Sequence, residues 1–416
     1  MSKTELLQRP PPAGLHRPHG PKPPSGRRPH LGDRDDRCSR LVLGPKVLKR
    51  VGSPSSRGGS RRLAEKNAVG ATGCVEEVGE GPGCCGLANA GNTCYQNSVL
   101  QCLNSVPGVV EYLRGGRGGW REGSEVTPRL AALVEEMWSR PPRSVCSAEG
   151  LRRAMAGKAW RAGPGSQEDA HEFFTALLQA MRDEGARNAA PPKYREIPDC
   201  GNPVAQAGEE WAYSKEWNDS PIDDLFGFQN SSATSCPACG AQSHRFDYAT
   251  ELQLEIPRGV GDLGAVSLKG CLERFRQEET LEGYSCSACG KEVAARKVAG
   301  VHRYPEVLVV TLKRFTYEWD GTSFRSGKVA APLELEGEEL DAGCLRDGLS
   351  EDRGPTRYRL LAVCNHTGGL GFGHYTAVGR NVVDGRMRHF DDSSVGPVGS
   401  LAGRCAGAYM LFFQRC

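Results

Sequence analysis

The chain predicts an α+β fold, and three observations carry that reading. Before about residue 185, apolar residues recur at three- and four-residue spacings in several segments, which is helical periodicity. From about residue 225 the signals are those of strands, with partial alternation over 246–256 and the apolar run VLVVTLKRF over 307–315. Two CxxCG units, Cys236/Cys239 and Cys286/Cys289, lie among these strands. Helices first and strands afterwards describe segregated layers rather than alternating βαβ units.

Composition bounds the rest. At 416 residues, 38% hydrophobic, the chain fills one large domain or two ordinary ones. No run approaches the roughly 18 apolar residues of a membrane helix. The start, MSKTELLQRPPPAG, lacks the apolar core of a secretory signal. An intracellular protein, cytoplasmic or nuclear and without a membrane partner, is expected. The seventeen cysteines are odd in number, and four of them sit in the CxxCG units, so metal and catalysis explain those better than disulfides. Others, such as Cys271 and Cys364, read as small buried hydrophobes. Residues 1–70 carry a net charge of +11 and the remainder −8, which sum to the overall +3. The acidic body argues against nucleic acid as substrate and suits a basic protein ligand.

Residues 1–83, rich in Pro, Gly, Ser and Arg, read as a disordered basic tail. Its clusters Arg27-Arg28, Lys49-Arg50 and Arg61-Arg62 suit either a localisation or anionic-surface patch or a solvated tail. The stretch GLANAGNTCYQNSVLQCL (86–103) then places Cys94 after a tight turn, at the head of a helix predicted over 94–106. A helix N-terminus favours the thiolate, the form a cysteine nucleophile needs. Backbone N–H groups of the turn, and the side-chain amide of Asn89, can face a developing oxyanion. Cys102 and the pair Cys84-Cys85 lack such a setting.

Helices are also predicted over 129–139 and 168–182, the latter burying Phe173, Phe174, Leu177, Leu178 and Met181 on a wide face. Asp169, His171 and Glu172 open that helix, where acids either complement the dipole or bind cationic groups of a substrate. A polar stretch over 185–220 reads as loop or linker. The four CxxCG thiols make a closed, structural zinc site of tetrahedral Cys₄ type. Their 46-residue separation requires a hairpin or small subdomain to bring them together. Strands are predicted over 357–364, 375–382, 386–391 and 408–414. His374 in GFGHY precedes one of them, a turn near Asp384-Gly385 follows, and the returning RHFDD brings Asp391 or Asp392 beside its ring. His366 is the rival base, but no carboxylate follows it at a hairpin return.

With these blocks together, the chain resembles the ubiquitin-specific protease family. GLANAGNTCYQNSVLQCL is similar to the family's cysteine box, and YRLLAVCNHTGGLGFGHYTAVGRN with HFDDSSV to its histidine box. QEDAHEF resembles the family's QQDAHEF, with Glu168 where a second glutamine is usual. VLVVTLKRF and AYMLFFQR also match the pattern, so the resemblance spans roughly 86–415. It implies a papain-like core of thumb, palm and zinc-bearing fingers (about 225–300) in a catalytic domain over 84–416. It further implies Cys94 as nucleophile, His374 as base, Asp391 as the group orienting it and Asp392 as support. Asn89 is implied as oxyanion donor, and Asp169 as an acid meeting the arginine-bearing tail of ubiquitin, with Glu172 beside it. The implied activity is thiol-dependent hydrolysis after ubiquitin's terminal glycine by a monomer, with ubiquitin and ubiquitinated proteins as partners. A non-catalytic ubiquitin-binding scaffold of the same fold is the alternative.

Overall fold

The helices come first, as their periodicity predicts. Strand β1 (Gly86–Leu87) leads into α1 (Cys94–Asn104), α2 (Pro107–Gly115), α3 (Val126–Met137), β2 (Val145–Cys146), α4 (Glu149–Ala156), α5 (Ala170–Glu184), α6 (Pro203–Trp217) and α7 (Pro221–Phe226). Strands then dominate: β3 (Phe228–Ser235), β4 (Gln242–Ala249), β5 (Leu252–Leu254), β6 (Val266–Ser267), with α8 (Leu268–Phe275) between β6 and β7 (Glu279–Ser285). They continue through β8 (Glu292–Arg303), β9 (Val307–Leu312), β10 (Phe315–Trp319), β11 (Phe324–Lys328), β12 (Leu333–Glu334) and β13 (Glu339–Asp341). The last are β14 (Arg357–Gly368), β15 (Gly373–Arg380), β16 (Met387–Asp391), β17 (Ser394–Pro397) and β18 (Ala408–Arg415). This computed structural model describes residues 81–115, 119–158, 160, 165–188, 190, 192–197, 200–257, 264–319, 324–369, 372–398, 401 and 405–416. The basic clusters of the tail lie outside the described residues.

An eight-stranded sheet, in the order β17-β16-β15-β14-β18-β9-β5 with β13 also on β14, forms the palm. Its central strands are buried on both faces. Val307 and Val309 of β9 join one apolar cluster with the helices, while Leu308, Val310 and Leu312 join a second on the opposite face. That explains why VLVVTL reads as a continuous apolar run rather than an alternating one. A separate four-stranded sheet, β4-β3-β8-β7, makes the fingers. α1 through α5 supply the helical thumb.

Two expectations change. The 185–220 stretch, read as loop, contains α6. Asn202 accepts from the Val204 and Ala205 amides at its N-cap, and Pro203 occupies the first turn. Only Ala207 and Tyr213 of α6 are buried, so an apolar stripe was too sparse to announce it. α1, predicted from helical spacing of its apolar residues and so expected to keep a polar face in water, has no solvent face, because all eleven of its residues are buried. Its polar side is a ladder to the extended segment leading into β1. Asn104 Nδ2 donates to Gly83 O (3.1 Å), Gln101 Nε2 to Cys85 O (2.8 Å) and Asn97 Nδ2 to Leu87 O (3.3 Å). Helical three- and four-residue steps thus match alternate carbonyls of a strand. Gly83 N also donates to Met137 O at 3.0 Å.

Candidate active site and metal centre

The ladder from α1 delivers the turn 88–93 to the end of β1 in a fixed pose. Within the turn, Asn89 Oδ1 accepts from the amides of Gly91 and Thr93, both at 3.0 Å. Gly91 (φ +88°) and Asn92 (φ +58°) take the left-handed backbone that such a tight bend demands. Cys94 follows as the first residue of α1 and is 3% exposed. Its thiol is pushed above the ordinary value. Burial is the main cause, the backbone N–H of Tyr375 opposes it, the charge of Asp392 adds to it, and the amides of Tyr95 and Cys94 oppose it. The expected depression at a helix N-terminus is therefore present in direction but outweighed by desolvation.

The sulfur's contact with the Tyr375 amide places Cys94 beside the residue that follows His374. The imidazole Nε2 lies 2.6 Å from Asp391 Oδ1, which leaves Nδ1 as the nitrogen for proton exchange. The register explains the pair. Ala377 faces Phe390 across β15 and β16, so Asp391 falls diagonal to His374 on one face of the sheet. Both side chains are half-exposed, at 41% and 47%.

Asp392 adopts φ +48° in the two-residue return from β16 to β17, where Asp391 faces Ser394. Its carboxylate lies within 4.8 Å of the imidazole and of Asp391, yet it points to other partners. Asn89 Nδ2 donates to Oδ2 and Asn97 Nδ2 to Oδ1, both at 2.8 Å. Leu87 N also donates to the Asp392 carbonyl at 2.8 Å. A Cβ at Gly86 would collide with Ser393 O, so only glycine lets β1 approach this return so closely. Asp392 thus holds the Asn89 amide.

His366 is excluded as the base by its place. It lies in β14 opposite Tyr375, packed against the rings of Tyr375 and Phe315, with Gly373 close against Nε2. Burial, with help from Lys328 and Arg314, pulls its pKa down to about 4.

Asp169 caps α5 by accepting from the amides of His171 (2.8 Å) and Glu172 (3.1 Å). It also accepts from Tyr409 Oη at 3.0 Å and Tyr375 Oη at 3.4 Å. Its dipole-complementing role is therefore in place. Glu172 stands in the first turn of α5, on an exposed position. His171 Nε2 lies 2.6 Å from Glu251 Oε1.

Two contributors were missed. Gln167 donates to Gly373 O (2.9 Å) and accepts from Gly373 N (3.0 Å), so one side-chain amide latches the loop before His374 as a strand neighbour would. Phe372, next to it, is 81% exposed. Asn97 was missed too; its spacing of four and seven from Gln101 and Asn104 was the available signal.

The cysteine knuckles occupy the tips of two matching hairpins. In each, the first cysteine's amide bonds the residue five positions on (Ala241 or Lys291), and a left-handed Gly240 or Gly290 closes the turn. β3 pairs with β8, which carries the two tips together across the 46-residue gap. Cys236 and Cys289 sulfurs lie 3.9 Å apart and those of Cys239 and Cys286 3.8 Å, with all four within 4.8 Å of one another. A tetrahedron of Zn–S bonds about 2.3 Å long has edges of about 3.8 Å, so the donor set fits a zinc ion.

The family described as "Ubiquitin carboxyl-terminal hydrolase" matches residues 85–413. Ubiquitin carboxyl-terminal hydrolase 2 of Bos taurus is 34% identical over 343 residues, covering 80% of this chain and 55% of the relative. Ubiquitin carboxyl-terminal hydrolase 21 of Mus musculus is 33% identical over 361 residues, covering 80% and 62%. The chain therefore spans somewhat over half the length of these curated relatives. Among solved structures, a SAGA DUB module of Ubp8, Sgf11, Sus1 and Sgf73 bound to monoubiquitin aligns with a TM-score of 0.61. The alignment covers 83% of this chain and 72% of that one at 22% identity, a likeness of fold.

Proposed function

Because the chain belongs to the ubiquitin carboxyl-terminal hydrolase family, we propose that it is a thiol-dependent deubiquitinase cleaving after ubiquitin's C-terminal glycine. The observation that carries the reading is the grouping of Cys94, the Tyr375 amide and the His374–Asp391 pair. His374 Nδ1 takes the thiol proton, and the Cys94 sulfur attacks the carbonyl of the isopeptide. The amides at the head of α1 and the second N–H of Asn89 Nδ2 hold the oxyanion, each such donor being worth about 3–4 kcal/mol in the transition state. His374 then protonates the leaving amine, Asp391 stabilising the imidazolium meanwhile. Water activated by the same imidazole hydrolyses the thioester.

Asp169 and Glu172 supply negative charge for the arginine-bearing tail of ubiquitin, which suits the net −8 of the body. Cys236, Cys239, Cys286 and Cys289 hold a structural zinc ion, whose closed coordination gives it no part in the chemistry. The protein works as a monomer in the cytoplasm or nucleus, with the basic tail preceding the catalytic domain. Among the described residues no helix is long and apolar enough to cross a membrane.

The test is a ubiquitin bearing a C-terminal electrophile. The chain should form a covalent adduct that Cys94→Ala abolishes, and a binding scaffold would form none. Adduct formation unaffected by Cys94→Ala would remove the sulfur from its role.

A further inference from the structure

We propose that Cys85 and Cys146 form an intramolecular disulfide, a redox modification site made of residues other than Cys94, His374 and Asp391. The two thiols are free and buried, and Cys85 Sγ donates to Cys146 Sγ at 3.1 Å across a separation of 61 residues. A disulfide bond is about 2.05 Å long, so closure asks for a movement of about 1 Å. The backbone around the pair is already tied together. β1 and β2 pair in parallel for two residues each, with Gly86 N donating to Ser144 O and Ala88 N to Cys146 O, both at 2.9 Å. Gln101 pins the Cys85 carbonyl, and Cys84 points elsewhere, accepting from Asn381 Nδ2 at 3.3 Å. Residues 141–145, which lead into Cys146, are exposed, so a local opening of β2 admits a small reagent while β1 stays anchored.

The reaction is exchange with a low-molecular-weight disulfide such as oxidised glutathione. The Cys146 thiolate attacks it, forming a mixed disulfide and releasing one glutathione thiolate. Cys85 Sγ then attacks Cys146 Sγ, forming the protein S–S bond and expelling the second glutathione. The two protein thiol protons end on the two glutathione thiols. The bond fastens β2 to the strand that carries the Asn89 turn and shortens the unfolded chain by a long loop, so it stabilises.

The full chain is incubated with oxidised glutathione and digested without reductant, and the linkages are mapped by mass spectrometry. A peptide joining Cys146 to Cys85, and not to Cys84, is expected. A rise of several degrees in the unfolding midpoint should accompany it, reversed by dithiothreitol and absent in both Cys85→Ala and Cys146→Ala. Mapping on the unmutated chain does not depend on either variant folding. Uptake of glutathione at exposed Cys200 and Cys416 without the 85–146 link, or a link through Cys84, would overturn the proposal.

Discussion

Three backbone amides favour the Cys94 thiolate, yet the buried sulfur stays above its ordinary pKa. The thiolate fraction of Cys94 therefore grows as pH rises towards that raised value. With the base removed in His374→Ala, we expect the rate of iodoacetamide alkylation at Cys94 to climb with pH without levelling below 9.0, the unperturbed thiol value. A plateau near neutrality would show that the thiolate is already formed. The two neighbouring aspartates divide their work, Asp391 to His374 and Asp392 to Asn89 and Asn97. Asp391→Ala should lower kcat by about 10²-fold or more through a misoriented base. Asp392→Ala should lower kcat at nearly constant KM, by up to about 10²-fold, through a loosened oxyanion donor. Steady-state kinetics of the two single variants and the double variant separate these roles, since a mere substitute at Asp392 would leave the single Asp392→Ala variant fully active.

Elements are joined by polar contacts as much as by apolar ones. The α1 ladder makes Gln101 a structural residue, and Gln101→Leu leaves the buried Cys85 carbonyl without its donor. A cost of about 1–3 kcal/mol is expected in urea unfolding. α5 meets the palm through His171 and Glu251, whose second oxygen accepts from Thr311 on β9 at 2.9 Å. Burial lowers the His171 pKa, but Glu251 outweighs it and the net shift is upward; burial raises Glu251, but His171 outweighs it and the net shift is downward. His171 therefore contributes stability that is full below its unfolded value of 6.5 and lost as pH rises through the higher folded value. Glu251 contributes stability present above 4.5 and lost as pH falls through its lower folded value. The pair is strongest between those limits, so the stability gap between wild type and His171→Gln should be wider at pH 6 than at pH 9. In the fingers, Cys236→Ser should reduce bound metal, measured by elemental analysis, and make the β3–β4 and β7–β8 hairpins more susceptible to protease. Unchanged metal content would remove these thiols as ligands.

At the scale of the whole molecule, charge is divided between a basic amino-terminal stretch and an acidic body. If the body alone recognises ubiquitin, removing residues 1–80 should leave adduct formation with the electrophilic ubiquitin unchanged. A marked fall in its rate would assign the tail a part in substrate capture. Most of the architecture was legible because its signals are local. The helix headed by Cys94, the Phe173/Leu177/Met181 stripe, the continuous apolar run of β9 and the hairpin around Gly385 each announce themselves within a dozen residues. α6 was not legible, because its stability comes from a cap and from contacts with β4 such as the stacking of Trp211 on Tyr248, 5.9 Å between centroids. Taken alone, the order of residues determined the α+β class, the four metal-fitting thiols and the candidate nucleophile, base and acids, since each depends on residue type and short spacing. Only the tertiary structure decided that α1 is wholly buried, that Asp391 and Asp392 serve different partners, that His366 is shut away and that desolvation outweighs the helix terminus at Cys94. Those outcomes depend on which surfaces meet and how much water they exclude, and contacts between segments up to about 300 residues apart leave no periodic trace in the chain.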